Sequence, residues 1–110
     1  MKGFKVLVKQ VSCDNVDALR QMGDQLRDKL GGIVVLAAPM GENKVSVLAM
    51  ASKAAVAQGF HAGKVVKEVA QVMGGSGGGR PDMAQAGGKD VTKLPEALQK
   101  AWDVIPQLLK

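Results

Sequence analysis

The strongest constraint in this sequence is the run Ile33-Val34-Val35-Leu36-Ala37-Ala38, which is apolar at every position. A strand with one wet face alternates apolar and polar residues; an unbroken apolar run fits a strand covered on both faces. Turn chemistry bounds it, with Gly31-Gly32 before and Pro39-Met40-Gly41-Glu42-Asn43 after. A strand buried on both sides needs helices above and below it, which points to an α/β sheet.

The flanking segments supply those partners. Residues Gly3 to Val11 read as a strand, with Phe4, Val6 and Val8 on one face and Lys5, Leu7 and Lys9 on the other. Asp14-Asn15 offers helix-capping chemistry and Asp17 a first-turn carboxylate. The stripe Val16, Leu19, Met22, Leu26 and Leu30 then predicts a helix to about Leu30, stopped by Gly31-Gly32. Lys44 to Ala51 is expected to return as the second strand of a hairpin. Ser52 to Gln58 fits a short helical piece and an irregular connection equally. Val65, Val66, Val69, Val72 and Met73 predict a helix from about Ala62, ended by Gly74. A last helix is expected near Pro95, with Leu94, Leu98, Ala101 and Ile105 as its apolar face and Trp102 beside it; Pro106 should end or kink it. The expected fold is a small mixed sheet in the order β-α-β-β-α-glycine-rich loop-α, with the 33–38 strand central. At 110 residues it forms a single domain, 1–110.

Composition narrows the function. Cys13 is the only cysteine and His61 the only histidine, so an internal disulfide and a cysteine–histidine zinc cluster are both excluded. Cys13 reads as a small apolar residue near a strand end. A catalytic Cys13–His61 pair has no local signature behind it. Asp14, Asp17, Asp24 and Asp28 read as a solvated helix face. No apolar run has membrane-spanning length, and the start of the chain is too short in apolar residues for a signal peptide, so a cytoplasmic location is expected. The formal net charge of +5 favours a polyanionic partner, while 3% aromatic residues, Phe4, Phe60 and Trp102 alone, argue against a surface that stacks many bases.

Residues 74–88, GGSGGGRPDMAQAGG, hold seven of the 14 glycines. Met83 to Ala86 could form a short strand inside this segment. A flexible linker is the bland reading of the glycines. Arg80-Pro81-Asp82, the second pair Gly87-Gly88 and the 22 residues that follow weigh against it. Glycine N–H groups with Arg80 and Lys89 beside them suit phosphate. The segment is neither a Walker loop nor a dinucleotide fingerprint.

This string resembles the motif near the end of bacterial-type alanyl-tRNA synthetases, and the resemblance extends through LGGIVVLAAPMGENKVSVLAMASK and LPEALQKAWDVI, from about Gly3 onward. The broader family is the DHH-associated domain, which also follows the catalytic domain of DHH phosphoesterases. Arg80 stands where the phosphoesterase version usually has histidine. The resemblance implies a non-catalytic module that contacts the elbow of alanine-specific tRNA and supports aminoacylation and editing, processes whose ATP and zinc are used in other domains. No cofactor or metal is expected in this domain, which should neither aminoacylate nor deacylate tRNA by itself. Its expected partners are tRNA and the other domains of the parent, with self-association left open and no membrane contact. The expected RNA-binding residues are Ser52, Lys53, His61, Lys64, Gly77, Gly78, Gly79, Arg80, Gln85, Gly87, Gly88 and Lys89, with open N–H groups and the start of the 62–73 helix converging on phosphate; Lys5 and Lys9 are the next candidates. A nucleotide- or phosphate-binding domain of a DHH phosphoesterase and an assembly domain without RNA contact are the alternatives.

Overall fold

A computed structural model describes residues 5–12, 15–41 and 44–109. The strands are β1 (Val6–Gln10), β2 (Ile33–Gly41), β3 (Lys44–Ala51), β4 (Ser76–Gly79) and β5 (Met83–Gly88); the helices are α1 (Val16–Leu30), α2 (Lys53–Ala57), α3 (Ala62–Val72) and α4 (Leu94–Leu108), the last entered through a single 3-10 turn at Val91–Lys93. The five strands form one sheet in the order β1-β2-β3-β5-β4, with β1 parallel to β2 and the other pairs antiparallel.

Every residue from Ile33 to Ala38 is fully buried, because β2 feeds two cores at once. Val34, Leu36 and Ala38 pack with Leu48 and Met50 of β3 under Leu19 of α1. Ile33, Val35 and Ala37 face the opposite way and join Val65, Val66 and Val69 of α3 and Ala97, Ala101 and Ile105 of α4. The expected strand, helix layers and mixed sheet are all present. The geometric middle of the sheet is β3, however, since β5 adds to its free side and leaves β2 second in the order.

The caps of α1 follow the sequence. Asn15 Oδ1 accepts from the Ala18 N–H at 2.8 Å, and Gly31, at φ 66°, ends the helix with its N–H donating to Arg27 O. Replacing Asn15 with alanine should cost about 1 kcal/mol, read as a lower denaturant midpoint at unchanged slope. Asp14 lies outside the described residues. Gly23 lets α1 sit close to the sheet, for a Cβ there would lie 2.5 Å from Leu48 Cδ2. Val16 does not join the buried stripe; it is 38% exposed and lines an open groove.

Two other expectations change, and one left open is decided. Ser76 and the three glycines after it form a strand, β4, instead of a loop. The ambiguous 52–58 segment is a short helix whose Ser52 Oγ accepts from Ala55 N–H. Pro106 does not stop α4 where it stands, because it lies two residues from the helix end, where the missing N–H removes one hydrogen bond and the last turn closes around it.

Candidate nucleic-acid interface

The glycine strand and its partner make a hairpin with Pro81 and Asp82 at its tip. Arg80 N–H donates to Met83 O at 3.0 Å. Two further bonds dock the tip: Ala51 N–H at the end of β3 donates to Asp82 O at 3.0 Å, and Ala62 N–H at the start of α3 donates to Pro81 O at 2.9 Å. Gly63 lies directly against the hairpin, since a Cβ there would be 2.7 Å from Gly79 O. Lys53 shares a cleft of about 280 Å³ with Val56, Pro81 and Asp82. The topology therefore gathers Ser52, Lys53, His61, Lys64, Gly79 and Arg80 around one end of the sheet. Arg80 projects into solvent with its side chain 70% exposed, and its 3.6 Å pairing with Asp82 is the kind of surface contact that contributes little.

The donors at this end differ from those expected. The first turn of α3 is already capped: Ala62 N–H is taken by Pro81 O, and Lys64 N–H donates to His61 Nδ1 at 3.2 Å. His61 thus serves the helix with one ring nitrogen, and Ser52 does the same for α2. The helix N-terminus offers fewer free N–H groups than the sequence suggested; the cations Lys53, Lys64 and Arg80 carry the electrostatics there. The Arg80–Met83 bond also sets the alternation of the β4–β5 ladder. Gly78 and Gln85 form a hydrogen-bonded pair, while Gly77 and Gly79, opposite Ala86 and Ala84, turn their backbone groups away from β5.

The glycines fall into two groups. A Cβ on Gly75 would overlap the Gly87 carbonyl, one on Gly77 would overlap Ala86, one on Gly79 would lie 2.8 Å from Ala84 Cα, and one on Gly88 would lie 2.7 Å from Met73 Cβ. Those four are packing requirements. Gly78 has nothing within 4 Å, and Gly87 meets only Val45 O at 3.8 Å; neither has a left-handed φ. Gln85 lies on the same sheet face as these two, and its buried Nε2 has no hydrogen-bond partner among the described residues.

Some expected site residues lie elsewhere. Gly88 and Lys89 are at the far end of β5, roughly 16 Å along the strand from the tip, where Lys89 N–H donates to Met73 O at 2.8 Å. Lys9 belongs to the opposite edge strand, β1, and Lys5 immediately precedes it. Phe60 is 1% exposed and packs in the α3–α4 core, so it is not a base-stacking platform, and Phe4 is outside the described residues. Trp102 is 37% exposed on α4. Sequence reasoning missed Arg20, which lines a groove of about 250 Å³ with Gly78, Arg80 and Gln85; it stands fifty-eight positions before Gly78, and no local pattern signals the pairing. Among the described residues no group of three or more His, Cys, Asp or Glu side chains could hold a metal, and no helix is long and apolar enough to cross a membrane.

Comparison with known proteins identifies the family. The family described as the DHHA1 domain matches residues 3–107. Alanine–tRNA ligase from Pelotomaculum thermopropionicum is 50% identical over 110 residues, covering 100% of this chain and 12% of the ligase. That of Acetivibrio thermocellus is 53% identical over 110 residues, covering 99% of this chain and 12% of the ligase. The chain thus spans 12% of the length of the relatives it matches. Among solved structures, the C-Ala domain from Aquifex aeolicus alanyl-tRNA synthetase superposes with a TM-score of 0.80 at 30% identity, covering 96% of this chain and 92% of that one. A DHH-domain protein assigned to a family of ribosomal proteins shares the fold alone, at a TM-score of 0.54 and 21% identity over 81% of this chain and 20% of that one. The chain belongs to the DHHA1 domain family, in the form that alanine–tRNA ligases carry.

Proposed function

We propose that this chain is a non-catalytic tRNA-binding module of an alanine–tRNA ligase. It grips alanine-specific tRNA at the elbow and supports aminoacylation and editing by other domains of the parent, in the cytoplasm. The observation that carries this reading is the set of cations on the elements joined at the hairpin tip: Lys53 shares a cleft with Pro81 and Asp82, Arg80 lies next to them in the hairpin, and Lys64 is in the first turn of the helix bonded to Pro81, its side chain in a neighbouring cleft with Lys67 and Lys100. A folded RNA corner offers phosphates and shape more than free bases, and cations beside a low-relief backbone suit that better than aromatic platforms do. Arg80 supplies a planar fork for a phosphodiester in place of a titrating imidazole, which favours holding RNA over cleaving it.

Charge reversal tests the reading. Arg80 and Lys64 are exposed, so Arg80→Glu and Lys64→Glu should melt near the parent temperature. Both should bind tRNA more weakly than the parent, and each should lower the slope of log affinity against log salt by about one unit. A linear RNA of equal length should bind more weakly than tRNA. Unchanged affinity of both variants across a salt series would place the RNA face elsewhere on the sheet, with Lys5 and Lys9 next in line.

A further inference from the structure

We infer that the α1 side of the glycine hairpin is a phosphate seat, with Gly78 as its floor and Arg20 and Arg80 as its two arms; the inference rests on the tRNA reading above and assigns Arg20 to RNA contact. The first observation is Gly78 itself. Glycine weakens a strand, so a strand glycine marks a bulge, a close neighbour or a close ligand. Gly78 is paired regularly with Gln85, has no left-handed φ, and has open space where its side chain would be. Its flanking glycines, 77 and 79, are explained by contact with Ala86 and Ala84; Gly78 is not explained by anything in the fold.

The second observation is the charge around that space. Arg20 and Arg80 line the same groove as Gly78 and Gln85. On α1 the carboxylates of Asp24 and Asp28 pair with Arg27, at 3.2 and 3.5 Å, and Arg20 has no ion pair among the described residues. Two guanidiniums beside a bare backbone match a phosphodiester, which forked donors can hold from both sides. The third observation is the Gln85 amide in the groove wall, whose Nε2 is a buried donor with no partner among the described residues. An anion oxygen is the acceptor such a donor lacks. Gly23 contributes at a distance: by letting α1 lie close on β3, it brings the helix within reach of the hairpin.

The test compares Arg20→Gln and Gly78→Val with Lys29→Gln, an exposed charge loss at the other end of α1, in tRNA titrations over a salt series and in thermal melts. Valine suits a strand and has room at 78, so the melting temperature should hold. Arg20→Gln is expected to weaken tRNA binding roughly tenfold and to lower the salt slope by about one unit, as loss of one charge-assisted phosphate contact would. Gly78→Val should lose at least as much affinity by filling the seat, and Lys29→Gln should bind nearly as the parent does. If Arg20→Gln binds tRNA like the parent while Arg80→Glu binds weakly, the seat is wrong and the tRNA reading stands. If Arg20→Gln, Arg80→Glu and Lys64→Glu all bind like the parent, both fail. Displacement of tRNA by inorganic phosphate at constant ionic strength would mark a small-anion site and overturn the assignment to RNA.

Discussion

Phe60→Ala should destabilise this domain by about 3–5 kcal/mol, the largest loss expected from any single truncation. Phe60 is the bulkiest of the fully buried side chains, and it sits between α2 and α3 with its N–H donating to Ala55 O. Its ring packs in the core with the buried faces of α3 and α4. The melting temperature should fall by more than about 12 °C. Well below that temperature, tRNA affinity should remain close to the parent value, because the ring is out of reach of any base. A variant that melts normally and binds RNA poorly would show instead that Phe60 is a stacking residue.

Gly75→Ala should be nearly as damaging. The new methyl group would overlap the Gly87 carbonyl oxygen and crowd Gly88 Cα, which are backbone atoms of a paired strand and have no rotamer to change. Overpacking of this kind costs roughly 1–3 kcal/mol where neighbours can shift, and more where they cannot. A loss of about 3 kcal/mol in urea denaturation is expected, with Gly78→Ala beside it staying within about 0.5 kcal/mol of the parent. Equal losses at 75 and 78 would mean that the hairpin does not have the register described here.

Much of the architecture could be read from side chains. The two-sided burial of β2 follows from six consecutive apolar residues, and α1 and α3 follow from stripes at helical spacing with caps at their ends. What escaped the reading has no side-chain signal. β4 is three glycines and a serine, a composition that argues for a loop; it is a strand because Ala84 and Ala86 of β5 approach closely enough to exclude any Cβ at 77 and 79. The candidate site was legible in part. Gly79 lies with Ser52, Lys53, Lys64 and Arg80 at the hairpin-tip end of the sheet, whereas Gly88 and Lys89 are carried away by the length of β5, and Arg20 is brought in by α1 packing that local sequence cannot express. The capping of α3 by Pro81 was hidden for a similar reason, since a backbone carbonyl contributes nothing to a residue pattern.

The composition of β4 has one more consequence, for solubility. An outermost strand is a template on which a foreign peptide can add, and proteins commonly defend such strands with lysines, inward-facing charges or bulges. Ser76–Gly79 has no charge to use for that purpose, and a side chain at 77 or 79 would separate it from β5. Its defences are brevity, at four residues, and Arg80 and Pro81 at the point where a fifth and sixth rung would form. Lengthening this strand with apolar residues, or replacing Pro81 with a good strand former, would therefore remove the barrier to chain-on-chain growth at this edge.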